Sequence, residues 1–99
     1  MSRYHFSYHA EQDLNDIYDY VARFSPTNAA RLVQRLQQVC RLLTQFPHLG
    51  TARDDLRSGM LAFVEGNYVI FYEATDDGIR ILRVLHGSRN ILASHFQFP

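Results

Sequence analysis

Between Leu61 and His86 three apolar runs are separated by two short clusters of turn-forming residues, Glu65-Gly66-Asn67 and Thr75-Asp76-Asp77-Gly78. Few arrangements other than consecutive hairpins satisfy that pattern. It predicts strands at about Leu61 to Val64, Tyr68 to Ala74 and Ile79 to His86. The unbroken apolar run Tyr68 to Tyr72 predicts a central strand covered on both faces, and hairpin connections demand antiparallel pairing. Upstream the period changes twice. Tyr4, Phe6 and Tyr8 alternate with Arg3, His5 and Ser7, as in a strand with one aromatic face. From Ala10 the apolar residues Ala10, Leu14, Ile17, Tyr18, Val21 and Phe24 recur at helical steps, with Glu11, Asp13, Asp16 and Asp19 on an acidic outer side. Ser25-Pro26 ends that helix and starts another, because a serine hydroxyl caps the new amino end and proline at a first helical position loses no hydrogen bond. The second helix buries Ala29, Leu32, Val33, Leu36, Val39, Cys40, Leu43 and Phe46, points Arg31, Arg35, Gln38 and Arg41 outward, and ends at Pro47. His48 to Gly59 shows no sustained period and reads as an ordered crossing loop. After Gly87 the tail Ser88 to Pro99 reads as a short helix that carries Ile91 and Leu92 onto the core and frays beyond Phe98. The order is β-α-α-β-β-β, an α+β chain.

Ninety-nine residues are expected to build one domain, residues 1–99, because a second core could not be filled. Apolar residues at 46% and charged residues at 20% argue against disorder. No apolar run approaches the roughly 18 residues of a membrane span, and the amino end lacks the apolar stretch of a leader, so a cytoplasmic protein with no membrane partner is expected. Lone Cys40 cannot form an internal disulfide and falls on a helical apolar stripe, where packing is its expected role. Net charge is zero, so any site for an anionic partner must be local. All ten basic residues are arginine, a choice that fits both genome composition and recognition of carboxylates or phosphates.

Cutting RNA would require a group that polarises the ribose hydroxyl, an acid for the leaving oxygen and cations at the phosphate. The last strand offers Arg80, Arg83 and His86 for such a cluster. Strict alternation places Arg80, Leu82, Val84 and His86 on one face and Ile79, Ile81, Arg83 and Leu85 on the other. A core-facing arginine needs a carboxylate, so Arg83 is expected to pair with Asp16, Asp54 or Asp55. His86, at a strand end with no evident acid beside it, reads more simply as a cap than as a base. Histidines and the cysteine lack metal-ligand spacing, so no metal or cofactor is expected. Gly59, Gly66, Gly78 and Gly87 each fall singly at turns rather than in a phosphate-binding loop. Tyr18, Tyr20, Tyr68 and Tyr72 could stack on bases, although their spacing suits packing better.

The segment Arg53-Asp54-Asp55-Leu56-Arg57-x-Gly59, then Gly66-Asn67-Tyr68-Val69-Ile70-Phe71-Tyr72, Asp77-Gly78-Ile79 and Leu82-Arg83-Val84-Leu85-His86-Gly87-x-Arg89 resembles the ParE branch of the RelE/ParE superfamily of type II toxin-antitoxin toxins. The resemblance implies a helical hairpin packed on a small twisted antiparallel sheet. It implies a toxin that binds DNA gyrase and blocks its cycle with no catalytic residue, and a ParD-like antitoxin that neutralises it by wrapping over the hairpin and sheet, in a toxin–antitoxin hetero-oligomer. Direct DNA contact is expected only through the antitoxin. Target binding is expected at Arg53, Arg57, Arg80, His86 and Arg89, and antitoxin binding at Arg31, Arg35, Arg41, Tyr68 and Tyr72. Because Arg53 and Arg57 lie in a loop, their replacement by alanine is expected to weaken target binding more than folding. The chain departs from the ParE pattern at Ser58 and Leu61, where many members carry proline and arginine, and at Glu73, where arginine is frequent. It also lacks the tyrosine or histidine arrangement near the carboxyl end of the ribonuclease branch, having His95-Phe96 and no lysine. A ribosome-dependent mRNA endoribonuclease, with Arg80, Arg83 and His86 as its cluster, is therefore the second reading, and a non-toxic antitoxin-binding module the third.

Overall fold

The computed structural model describes residues 3–97; the fraying expected beyond Phe98 lies outside them. Strand β1 (Arg3–Phe6) leads into helix α1 (Tyr8–Ala22) and helix α2 (Pro26–Gln45). Strands β2 (Thr51–Ala52), β3 (Leu61–Glu65), β4 (Tyr68–Thr75) and β5 (Gly78–His86) follow, and a 3₁₀ turn, Ala93–Phe96, closes the chain. One sheet runs in the order β1-β5-β4-β3-β2, with α1 and α2 on one face.

The three hairpin strands pair antiparallel as their turns require. The sheet as a whole is mixed rather than antiparallel, because β1 lies parallel to β5, with Tyr4 beside Ile79 and Phe6 beside Ile81. The turn argument constrains only β3 to β5; β1 is separated from its neighbour by the helical hairpin, which lets the chain enter the sheet in the same direction. Gly78 makes this approach possible, since a Cβ there would stand 1.7 Å from the Arg3 carbonyl oxygen. The loop after α2 contributes a strand of its own, β2, held to β3 at Ala62 and Leu61. Two residues are too few for any period to register.

Helix α1 starts at Tyr8, earlier than the apolar spacing suggests, and Tyr8 is largely exposed rather than part of a strand face. Ser7 explains the start. Its hydroxyl accepts from the Ala10 amide at 3.0 Å, capping the helix, and donates to the Leu82 carbonyl at 2.7 Å. Phe24 is mostly exposed, beyond the end of α1, so the expected stripe stops at Val21.

Helix and sheet enclose a core of Leu36, Val39, Cys40, Leu43, Ile70, Tyr72, Ile79, Ile81 and Val84. A second cluster, Met60, Phe71, Leu82, Leu85 and Phe96, fills the opposite face beneath the loop 53–60 and the carboxyl segment. Residues Ile70, Phe71 and Tyr72 are fully buried, as a central strand covered on both sides requires. Ile91 reaches the second cluster, whereas Leu92 is half exposed and Phe96 takes the place expected for it.

Candidate functional site

Strand β1 accompanies β5 only as far as Ile81. From Leu82 onward the β5 edge would present unpaired backbone groups, an expensive arrangement wherever water is excluded. Helix α1 crosses that edge and satisfies it with side chains. Ser7 takes the Leu82 carbonyl, and the Asp13 carboxylate accepts the Val84 amide at 3.0 Å. A bulge at this point sets Phe71 opposite Arg83 and Tyr72 opposite Ile81, so Leu82 is left over. Alternation therefore breaks. Val84 turns to the helices and Leu85 to the second face, contrary to the strict period expected from the sequence.

Arg83, displaced by the bulge, spans the edge. Its Nε and Nη2 donate to the two Asp13 oxygens at 2.7 and 2.8 Å, and Nη1 donates to the His95 carbonyl at 3.2 Å. The hydrogen bonds that Arg83 donates to Asp13 raise the Arg83 pKa further above its already high value, against the lowering effect of burial. The carboxylate that pairs with Arg83 is Asp13, not Asp16, Asp54 or Asp55, and it faces the sheet instead of the acidic outer side of α1 expected for it. The signal was present in the spacing, because residues 10, 13, 14 and 17 trace one helical stripe.

Beside this ion pair a groove of about 450 Å³ opens between α1 and the end of β5, lined by Asp16, Tyr20, Tyr68, His86 and Arg89 among others. His86 packs edge-on against Tyr68 with ring centres 5.3 Å apart. Its Nδ1 accepts the Ser88 amide at 3.1 Å and lies 2.7 Å from the Ser88 hydroxyl, so the neutral ring carries its proton on Nε2. Among the described residues no carboxylate stands within hydrogen-bonding distance of either ring nitrogen.

The Arg53-Asp54-Asp55-Leu56-Arg57 loop is tied to itself and to the carboxyl segment. Arg53 grips Asp55 with two bonds of 3.0 Å, and Asp54 accepts the Gly59 amide at 2.9 Å. The exposed Asp55 carboxyl is held below its ordinary range by hydrogen bonding from Arg53. Arg57 donates to the Phe96 carbonyl at 2.8 Å, and its Nε stands 3.8 Å from Glu73. Glu73 in turn faces Arg80 across the β4–β5 ladder. The five expected target-binding residues thus divide: Arg53, Arg57 and Arg80 belong to the second face and its loop, His86 and Arg89 to the groove beside α1.

The expected antitoxin-binding residues do not form one surface either. Successive helical residues turn by roughly 100°, which puts Arg41 about 120° around α2 from Arg35. Arg35 pairs with Glu65 on the β3 side, Arg41 lines a groove against β1, and Arg31 is exposed. Tyr68 is half-buried in the α1 groove. Tyr72 is fully buried and must be withdrawn as a contact: its hydroxyl donates to the Pro47 carbonyl and accepts the Gly50 amide, each at 2.9 Å. Burial raises its pKa, partly offset by the Gly50 bond. A Cβ on Gly50 would meet that hydroxyl at 2.7 Å, which accounts for glycine at the position.

Residues 4–91 match the family model described as the ParE toxin of the type II toxin-antitoxin system, parDE. The chain belongs to the ParE toxin family. It is 34% identical to Toxin ParE1 of Caulobacter vibrioides over 94% of this chain and 97% of that protein. It is also 33% identical to Toxin RelE2 of the same organism, over 90% of this chain and 99% of that protein. The fold superposes with a TM-score of 0.70 on a chain from the chromosomal ParDE toxin-antitoxin system of P. aeruginosa, at 25% identity, covering 87% of this chain and 96% of that one. The helical hairpin on its sheet is therefore the ParE-family arrangement, and the chain is a toxin of a type II toxin-antitoxin system.

Proposed function

We propose that this ParE-family toxin binds DNA gyrase and blocks its cycle without a catalytic residue of its own, and that a ParD-like antitoxin neutralises it. The observation that carries this reading is the dispersal of the groups a ribonuclease would need. Arg83 has three donors engaged by Asp13 and His95, Arg80 faces Glu73 on the second face, and His86 lies on the helix side with its Nδ1 occupied. The three groups therefore do not share one face of the strand. Gyrase contact is assigned to Arg53, Arg57 and Arg80 around the second face, with His86 and Arg89 as an adjoining contact at the strand end. The antitoxin is assigned to α2 and its border with β3, where Leu42 and Phe63 flank Arg35, and to exposed Arg31. An acidic amphipathic segment suits that combination.

Similarity to Toxin RelE2 makes ribosome-dependent mRNA cleavage the reading to test beside the first. Purified toxin is added to gyrase in a supercoiling assay and, in parallel, to a translation reaction in which mRNA is followed. Cleaved DNA with intact mRNA is the expected result. Cut mRNA with normal supercoiling would overturn the proposal, and absence of both effects together with harmless expression would leave only antitoxin binding.

A further inference from the structure

The cleft between β1 and the last turns of α2 is lined by Arg3, Tyr4, His5, Arg41, Thr44 and Gln45, encloses about 470 Å³, and has no carboxylate in its wall. Several arginines are matched with acids: Arg35 with Glu65, Arg53 with Asp55, Arg83 with Asp13. Arg3 and Arg41 are instead brought together at one cleft. Among the described residues neither guanidinium has an ion-pair or hydrogen-bond partner, although they come from separate elements and meet at one cleft. The sequence alone did not join them, since one begins a strand and the other is far along a helix.

We infer that this cleft is a binding site for a phosphate group. Two guanidinium forks, the His5 ring and the Gln45 amide supply more donors than the two oxygens of a carboxylate can accept, whereas a phosphate offers three or four. The Thr44 hydroxyl donates to the Arg41 carbonyl at 2.6 Å and so ties the side of the cleft to the helix turn that carries Arg41. Asp77 stands 3.9 Å from His5 Nε2 and outside the lining. With zero net charge the molecule has no general field for anions, so binding here would be local and limited to one or two phosphates. The group could belong to a nucleic-acid backbone or to a free phosphate or nucleotide; the chemistry at the cleft is the same.

The test follows amide and arginine side-chain NMR resonances of the purified toxin during titration with inorganic phosphate, with a nucleoside triphosphate and with a short DNA duplex, each at constant ionic strength. Saturable shifts confined to residues 3–5 and 41–45 are expected, with affinity at least tenfold weaker in Arg41→Gln and in Arg3→Gln. Both side chains are exposed, so the variants should keep the spectrum of the folded protein elsewhere. Tighter binding of DNA than of phosphate would assign the group to a backbone, and the reverse order to a free phosphate or nucleotide; both outcomes support the site. Shifts spread over the surface, affinity unchanged in both variants, or tighter binding of a glutamate-rich peptide than of any phosphate would each overturn the inference. It does not depend on gyrase being the target.

Discussion

Asp13 accepts three hydrogen bonds on one carboxylate, two from Arg83 and one from the Val84 amide, at a point where β5 has lost its strand neighbour. Removing the acid would strand a nearly buried guanidinium and orphan a backbone donor together. Asp13→Ala is expected to cost about 3–5 kcal/mol, the range for breaking a buried pair. Asp13→Asn keeps an acceptor for Val84 and is expected to cost about 2 kcal/mol. Urea denaturation of the two variants checks this, and equal midpoints for Asp13→Ala and the wild type would refute it. Cys40 shows the opposite treatment of a titratable group: burial pushes its thiol from 9.0 to about 12. Because the folded value lies above the unfolded one, the contribution of this residue to stability is complete below pH 9 and declines as pH rises toward 12. A thiol reagent at pH 8 should therefore label the denatured chain and leave the native one unmodified, as mass spectrometry would show.

At the scale of elements, one serine does more than its neighbour in kind. Ser7 and Ser25 both cap helices, but Ser7 also donates into the sheet at Leu82. Ser25→Ala is expected to cost about 0.5–1 kcal/mol, and Ser7→Ala about 2–3 kcal/mol because a buried carbonyl is left without a donor. Thermal melts of the two variants separate these values. The loop arginines differ for a similar reason. Arg53 reaches only to Asp55, two residues away and exposed, so Arg53→Ala should change stability by less than about 0.5 kcal/mol. Arg57 holds the Phe96 carbonyl across the second face, so Arg57→Ala should cost about 1–2 kcal/mol and loosen the carboxyl segment, measurable by hydrogen exchange. The expectation that replacing these arginines weakens target binding more than folding thus meets unequal structural costs, small for Arg53 and larger for Arg57. These cases show what was legible. Repetition is visible: the hairpins, the central strand and most of the helical stripes follow from period and turns, although Tyr18, Phe24 and Phe46, expected on those stripes, are exposed. Single contacts are not: the direction of β1 and the partner of Arg83 depend on residues seventy or more positions apart, and the bulge at Leu82 on the detailed register of β4 against β5. The expected antitoxin residues Arg35 and Arg41 are dispersed around α2, and the cleft that joins Arg41 to Arg3 forms only after the chain has folded.

A small sheet has two faces, and the helical hairpin can cover only one. On the other, Phe71, Leu82 and Leu85 are kept from water by Met60, by the loop around Leu56 and by Phe96 from a segment of barely one turn. Phe96 packs its ring against Phe71 with centres 4.8 Å apart and is almost fully buried. Its segment is held by two carbonyl bonds, from Arg57 to Phe96 and from Arg83 to His95. Through Arg83 the same clasp reaches Asp13 in α1, so one ion pair joins the helical layer to the cover of the opposite face. Phe96→Ala should therefore cost about 3–5 kcal/mol, as for an aromatic core residue, although it lies three residues before Pro99. A chain of zero net charge has little repulsion to oppose self-association once that face is uncovered. The variant should bind a hydrophobic dye in native buffer and associate at micromolar concentration, where the wild type does neither. The pairing of Phe71 with Phe96 can be separated from simple bulk by a double-mutant cycle with Phe71→Leu, in which a coupling of about 0.5–1.5 kcal/mol is expected. Additive losses would mean that the two rings have no coupling of their own, and that burial of Phe96 among Met60, Leu82 and Leu85 together with the bonds from Arg57 and Arg83 holds the cover in place.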